Sequence, residues 1–117
     1  MANYRELSVW RKAMTLVEET YCIVRVLPKE ELFALSDQMR RAAVSIPSNI
    51  AEGHGRESKN DFVRFLSIAQ GSRAELETQF EICRRLGYAT DAELQTAFDL
   101  CHEVEKMLYA LIRTLRT

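Results

Sequence analysis

Hydrophobic residues recur along the chain with the three-to-four-residue spacing of an α-helix, and the strict alternation typical of a β-strand is absent. Short polar stretches or stretches with glycine and proline separate four such segments. We place the predicted helices at residues 8–27, 31–53, 59–86 and 91–115. Because short connections make neighbouring helices antiparallel, the pattern predicts an all-α, antiparallel up-down-up-down four-helix bundle.

The first predicted helix carries two adjacent apolar stripes. One consists of Trp10, Met14, Val17, Tyr21 and Val24, and the other of Val9, Ala13, Leu16, Ile23 and Leu27. Together they make an apolar face wider than one seam between bundle helices requires. We therefore expect the chain to form a homo-oligomer.

Pro47 falls inside the second predicted helix, where a proline removes one backbone hydrogen bond and costs about 3 kcal/mol. The apolar phase nevertheless continues through it, from Met39 to Ile46 and Ile50. We interpret the segment as one helix kinked at Pro47. Two short helices that meet at this proline are the alternative.

Residues at the predicted helix ends match known capping preferences. Ser8 and Ser58 suit N-cap positions, and Thr90 with Glu93 has the spacing of a capping box. Gly87 suits the left-handed position that ends a helix in a Schellman motif. These residues predict where three of the helices begin and where the third one ends.

Length and composition favour a single domain over residues 1–117. The 4 glycines and 2 prolines are too few for an all-β fold with many tight turns. The first residues lack the apolar region expected of a signal peptide, and no apolar run approaches the ~18 residues of a membrane span. Cys22, Cys83 and Cys101 lie in apolar helical patterns and are expected to be free thiols. We therefore expect a cytoplasmic protein with no membrane partner.

Few residues could support catalysis or bind a metal. The only histidines are His54 and His102, and the Asp99-x-x-His102 spacing lacks the second copy that a di-iron bundle uses. The glycines around His54 lack the Gly-Lys-Ser/Thr ending of a phosphate loop. No spacing suggests a catalytic triad. We predict no enzyme activity, no metal site and no cofactor.

Several polar residues are predicted to lie between the second and third helices. They are Arg41, Ser45, Asn49 and Glu52 on one face of the second helix, and Ser72 and Glu75 on the third. One interpretation is a half-buried hydrogen-bond network in which Arg41 pairs with Glu52 or Glu75. The other is a contact surface for a ligand or a nucleic acid.

Gly71 lies in the middle of the third predicted helix, where glycine costs up to about 1 kcal/mol relative to alanine. Its missing side chain therefore calls for an explanation. Small residues are frequent in the second helix, so we expect the two backbones to approach closely at Gly71.

Charge is unevenly distributed although the net charge is only −1. Residues 40–73 contain six basic and three acidic residues, residues 74–105 contain two basic and eight acidic ones, and residues 106–117 contain three basic ones. The basic stretches could attract phosphates, and zones of opposite sign also suit contacts between subunits. The candidate phosphate contacts are Arg40, Arg41, Arg56, Lys59 and Arg64.

Three blocks of sequence resemble one family. They are Leu7 with Val9-Trp10 and Ala13, the run QMRRAAVSIPSNIAEG with Gly55-Arg56, and the later block from Asp61-Phe62 through Gly71-Ser72 and ELETQ to Leu86-Gly87-Tyr88. These blocks resemble the four-helix bundle proteins encoded in intervening sequences of bacterial 23S ribosomal RNA genes. His54 stands where that family commonly has an aromatic residue.

The resemblance implies a ring-shaped homopentamer with no enzymatic activity. The accessory variability proteins of diversity-generating retroelements look similar, and they bind nucleic acid and a reverse transcriptase through a basic surface. Together with the basic stretches, this leads to our first hypothesis, an oligomeric module that binds RNA or a ribonucleoprotein. The alternative is a protein–protein interaction module with no nucleic-acid partner.

Overall fold

Each of the four apolar segments forms one α-helix in the computed structural model, which describes residues 3–117. The helices are α1 (Ser8–Val24), α2 (Leu35–His54), α3 (Lys59–Arg85) and α4 (Asp91–Arg116). Single 3-10 turns at Tyr4–Glu6 and Lys29–Glu31 precede α1 and α2, and the described residues contain no strand. The predicted all-α four-helix fold is confirmed.

Every helix packs against its neighbours in chain order, and α4 also packs against α1. The helices of each diagonal pair, α1 with α3 and α2 with α4, have no Cα atoms within 8 Å of each other. The four helices therefore form a square around one core. None of the helices in the described range is long and apolar enough to cross a membrane.

Contacts between α3 and α4 show the direction in which these helices run. Gln70 Nε2 donates to the Glu105 carbonyl oxygen at 3.1 Å, and the Phe80 and Phe98 ring centroids lie 6.1 Å apart. Residues later in α3 thus contact residues earlier in α4, which supports the antiparallel arrangement. Extending this register places the first turn of α3 beside the last turn of α4.

The core is built from the predicted stripes, with one informative difference in α1. Its second stripe is buried, whereas Met14 and Tyr21 of the first stripe remain exposed and Trp10, Val17 and Val24 are half-buried. The described monomer therefore leaves much of the first stripe uncovered. The fully buried side chains of the other helices include Met39, Ile46, Ile50, Leu66, Leu76, Phe80, Leu94, Val104 and Leu108.

Two predicted boundaries in the first half of the chain are wrong. α1 ends at Val24 rather than at residue 27, because the N–H groups of Val26 and Leu27 turn to carbonyls three residues back, just before Pro28. α2 begins at Leu35 rather than at residue 31, since Ala34 has a non-helical backbone. Glu31 accepts a hydrogen bond from the Leu35 N–H at 3.2 Å and thereby serves as its cap.

The other predicted ends agree with the structure within one residue, and so do most of the caps. Ser58 accepts from the Asp61 N–H, and Thr90 forms both bonds of a capping box. Gly87 has φ +74°, and the following N–H bonds to the Cys83 carbonyl as in a Schellman motif. Ser8 is not an N-cap, because the helix already begins with it and Leu7 is the cap residue.

α2 continues through Pro47 as one helix, so the alternative of two short helices is wrong. The kink at this proline stays a prediction. The expected close approach at Gly71 is also wrong, because a Cβ atom built there meets nothing within 4 Å. The tight contact lies at Gly53, where a Cβ would stand 2.7 Å from Phe65 Cβ and 3.0 Å from the Phe62 ring.

We expect Gly53→Ala to destabilise the protein by about 1–3 kcal/mol, because the added methyl group overpacks the contact between α2 and α3. The measurement is the free energy of unfolding in urea. Gly55→Ala is the matched control, since its Cβ would meet only ordinary contacts at 3.5 Å or more. Equal stability of the two variants would contradict a tight contact at Gly53.

Candidate nucleic-acid interface

The five predicted phosphate contacts do not form one patch. Arg40 and Arg41 lie in the first half of α2, and Arg56 follows Arg41 by 15 residues, which is about 22 Å along a helix. Arg41 pairs with Asp37 at 2.9 Å, and Arg40 donates to the Leu32 carbonyl at 3.2 Å. The structure therefore separates these two arginines from the other three.

Arg56, Lys59 and Arg64 lie together where α2 turns into α3. The guanidinium groups of Arg56 and Arg64 stand 5.0 and 4.6 Å from the centroid of the Phe65 ring. Each arginine also forms an ion pair with a carboxylate. Arg56 lies 2.8 Å from Glu52, and Arg64 lies 3.8 Å from Asp61. Cation–π contacts and ion pairs thus hold the Arg56 and Arg64 side chains against residues of α2 and α3.

The fold adds cations from both ends of the chain to this region. The register of α3 against α4 brings Arg113 and Arg116 beside the first turn of α3. Tyr4 shares a groove with Ala51, which brings Arg5 to the end of α2. We name this group of cations the basic end; it consists of Arg5, Arg56, Lys59, Arg64, Arg113 and Arg116.

Most cations of the basic end have no carboxylate partner. Within the described residues, Arg5, Lys59, Arg113 and Arg116 form no ion pair at 4.0 Å or less. Four acidic residues share this end, Glu6, Glu52, Glu57 and Asp61, and two of them are already paired with arginines. The basic end therefore keeps a positive charge that is open to solvent and to phosphate groups.

The predicted polar network between α2 and α3 is formed only by its uncharged members. Ser45 Oγ lies 2.8 Å from Ser72 Oγ, and Asn49 Nδ2 donates to the Ser45 hydroxyl at 2.9 Å and to its carbonyl at 2.8 Å. Arg41 pairs with neither Glu52 nor Glu75. The charged residues bond instead to residues four positions away in the chain: Arg41 to Asp37, Glu52 to Arg56, and Glu75 to Gln79.

A second polar network, between α3 and α4, was missed from the sequence. Arg73 is buried and donates to Gln70 at 2.9 Å and to Glu77 at 2.6 Å, and it lies 3.5 Å from Glu105. His102 Nε2 stands 3.3 Å from the second Glu77 oxygen. The i, i+3, i+7 spacing of Gln70, Arg73 and Glu77 places them on one helix face beside an apolar stripe, and this pattern could have indicated the network. This network compensates a buried charge between two helices.

The thiols and carboxylates are not arranged for metal chemistry. No group of three His, Cys, Asp or Glu side chains within residues 3–117 could hold a metal ion. Burial raises the pKa of Cys83 to about 11 and that of Cys101 to about 12. Cys22 is exposed. Both buried thiols are therefore protonated at neutral pH.

A family model described as 23S rRNA-intervening sequence protein matches residues 5–110. The chain belongs to this family. A protein of unknown function from the S23 ribosomal protein family of Bacteroides thetaiotaomicron VPI-5482 has a similar crystal structure, with a TM-score of 0.82. It is 27% identical, and the match covers 90% of this chain and 95% of that one. No curated protein matches the chain. Neither the family description nor that neighbour carries a known activity.

We expect the double variant Ser45→Ala with Asn49→Ala to lose about 1–2 kcal/mol of stability, since it leaves Ser72 without its partner across the helix interface. Urea denaturation measures the loss. Ser67→Ala, at an exposed position of α3, is the control and should change stability by less than about 0.5 kcal/mol. If the double variant is as stable as wild type, the cluster does not hold α2 and α3 together.

We expect a thiol reagent such as an aromatic disulfide to modify one cysteine rapidly in the native protein and three in denaturant. Burial raises the pKa of both Cys83 and Cys101, which keeps them from forming the reactive thiolate, whereas Cys22 is open to the reagent. Cys22→Ser should abolish the rapid phase. A rapid phase that persists in Cys22→Ser would show that a buried thiol is accessible.

Proposed function

We propose that this protein is a non-enzymatic, cytoplasmic module that binds structured RNA or a ribonucleoprotein through its basic end. The observation that carries the proposal is the convergence of cations from separate segments, Arg5, Lys59 and Arg116 among them, on one end of a molecule 44 Å long. Arginine and lysine side chains without carboxylate partners are free to replace the counterions of a phosphate backbone.

The opposite end of the bundle does not favour phosphates in the same way. Arg40 and Arg41 share Asp37, and Arg84 and Arg85 share Glu81. Hydrogen bonds from Arg84 and Arg85 lower the pKa of Glu81 to about 2, so its carboxylate stays ionised and offsets one of their two charges. Glu30, Glu31, Asp91 and Glu93 lie at the same end and add further negative charge. Nucleic acid is therefore expected at the basic end, and Arg40 and Arg41 leave the set of proposed contacts.

We further propose that the chain assembles into a homo-oligomer, with the five subunits that the family resemblance implies. Support comes from an uncovered surface between α1 and α2, which we call the apolar face; it consists of Trp10, Met14, Val17, Tyr21 and Val44. Trp10, Met14, Val17 and Val44 border a groove of about 360 Å³. Exposed apolar surface of this kind is typical of protein interfaces. Light scattering that finds a monomer at micromolar concentration would overturn the assembly.

A second candidate function is a protein-binding module without a nucleic-acid partner. The observation that favours it is Phe33, whose surface is 90% exposed, with Val26, Leu32 and Leu86 also exposed at the end opposite the basic end. A chain of this kind would show no salt-dependent affinity for RNA. After purification, its ratio of absorbance at 260 nm to absorbance at 280 nm would be that of a protein without bound nucleic acid.

We expect Lys59→Glu with Arg116→Glu to weaken binding to an RNA hairpin at low salt more than about tenfold, and to reduce the slope of log K against log salt concentration by about two. Both residues are exposed and unpaired in the described structure, so the fold should survive. Binding is measured by fluorescence anisotropy over a salt titration.

The control is Arg25→Glu with Lys29→Glu, two exposed cations without an ion pair among the described residues, which changes the net charge equally at the opposite end of the molecule. This variant should bind within about threefold of wild type, because screening limits the influence of distant charges. If both double variants lose affinity equally, or if wild type does not bind at low salt, the basic end is not a nucleic-acid site.

A further inference from the structure

Tyr109 is an exposed aromatic side chain on the outer surface of α4. Its surface is 52% exposed, and its ring does not belong to the hydrophobic core of the bundle. A single exposed aromatic residue is common on protein surfaces and needs no functional explanation by itself. The charges around Tyr109 distinguish it from Tyr21 and Phe33, the other exposed aromatic residues within the described range.

Tyr109 lies in a line of cations. Lys106, Tyr109, Arg113 and Arg116 follow one another in steps of three, four and three, which places them on one face of α4. All four are exposed, and the three cations form no ion pair within residues 3–117. We call this line the basic track. It spans about 15 Å along the helix. Its last two cations belong to the basic end, so the track extends that region along the side of the bundle.

Few carboxylates lie beside the basic track. α4 contains no acidic residue after Glu105, and residues 62–74 of α3 contain none either. That stretch of α3 lies beside the track, because Gln70 donates to the Glu105 carbonyl and later residues of α3 contact earlier residues of α4. His102 lies in line with the track one turn earlier, but its Nε2 stands 3.3 Å from a Glu77 oxygen. The track therefore ends where the acidic part of α4 begins.

The half of the bundle that holds the basic track is positive as a whole. Residues 3–16, 45–72 and 104–117 contain nine basic and five acidic residues. Three of the acidic residues, Glu52, Asp61 and Glu105, lie within 4.0 Å of an arginine. Glu6 and Glu57 are the two that form no ion pair in the described part of the chain. A polyanion that approaches the track therefore meets a positive local potential.

The other two exposed aromatic residues have different surroundings. Tyr21 shares a groove with Asp37 and Arg41, which pair with each other at 2.9 Å. Phe33 lies at the opposite end of the molecule, shortly after Glu30 and Glu31 in the chain. Among the exposed aromatic residues of the described structure, Tyr109 is thus the one that stands between unpaired cations.

We propose that Tyr109 stacks against an unpaired base of RNA while Lys106 and Arg113 contact the phosphates on either side of that base. The two cations lie one turn before and one turn after Tyr109, within reach of neighbouring phosphates. Bases in a duplex are stacked on each other, so an aromatic side chain receives a base from a single strand. Every base has a π-face, and the contact is therefore tolerant of sequence.

This inference rests on the proposed function and names its substrate class. The substrate is RNA in which single-stranded nucleotides adjoin a duplex, rather than a duplex alone. The duplex phosphates lie at the basic end, and the unpaired nucleotides follow the basic track along α4.

The test uses two RNA probes that carry the same number of phosphates. One is a hairpin whose stem ends in single-stranded extensions of about six nucleotides. The other is the same hairpin with abasic extensions. Wild type should bind the probe with bases at least about fivefold more tightly, which is the lower limit of what stacking of one base on an aromatic ring contributes. Fluorescence anisotropy at low salt measures both affinities.

Three variants assign the preference to the aromatic ring. Tyr109→Ala should bind the two probes equally, whereas Tyr109→Phe should keep the preference of wild type, because phenylalanine retains the stacking surface. Both substitutions are at an exposed position outside the core, so the fold should survive. Phe33→Ala is the matched control, since it removes an exposed aromatic ring at the opposite end, and it should bind both probes as wild type does.

The outcomes separate this inference from the proposed function. A wild type that binds neither probe at low salt overturns both. If wild type binds the two probes equally, the basic end stands as a nucleic-acid site and the stacking is overturned. If wild type prefers the probe with bases and Tyr109→Ala keeps that preference, the base is received elsewhere and the role of Tyr109 is overturned.

Discussion

The packing of α2 against α3 is the contact on which the remaining structure depends. At one end the Gly53 backbone lies against Phe62 and Phe65, in the middle Ser45 meets Ser72, and further along the Cys83 thiol lies 3.7 Å from Met39 Sδ. Each contact tolerates only one register, because a shift of one residue would drive a side chain into Gly53 or separate the two hydroxyls. Because α1 packs on α2 and α4 packs on α3, this register sets the positions of α1 and α4 along the bundle axis.

The charge distribution follows from that register. Arg56 and Arg64 are held against Phe65, and the α3–α4 contacts then bring Arg113 and Arg116 to the same end. Cations far apart in the chain thus contribute to one local potential, whereas Arg40 and Arg41 are removed to the other end. A net charge of −1 consequently says little about the partners of this family member, since a phosphate backbone responds to the local field.

Most of the architecture could be predicted from the sequence. The periodic stripes located four helices, and local signals such as the Thr90 capping box and the left-handed Gly87 located most of their ends. The prediction of the start of α2 failed because this helix end depends on a side chain that a distant residue also contacts. Glu31 caps α2 while the Tyr88 hydroxyl donates to its other oxygen at 2.8 Å, and that bond spans 57 residues. No local pattern reveals such a partner.

In the candidate site, too, some features follow from the local sequence and others depend on contacts between distant residues. By itself, the sequence determined the helix faces, the small and basic residues and the family, because periodicity and motifs are properties of neighbouring positions. Only the tertiary structure decided that Gly71 is open while Gly53 is tight, that Arg73 is buried among carboxylates, and that Lys59 and Arg116 share one end. The reason is physical: contacts, burial and local potential depend on distances between helices, and the packing of the core sets those distances.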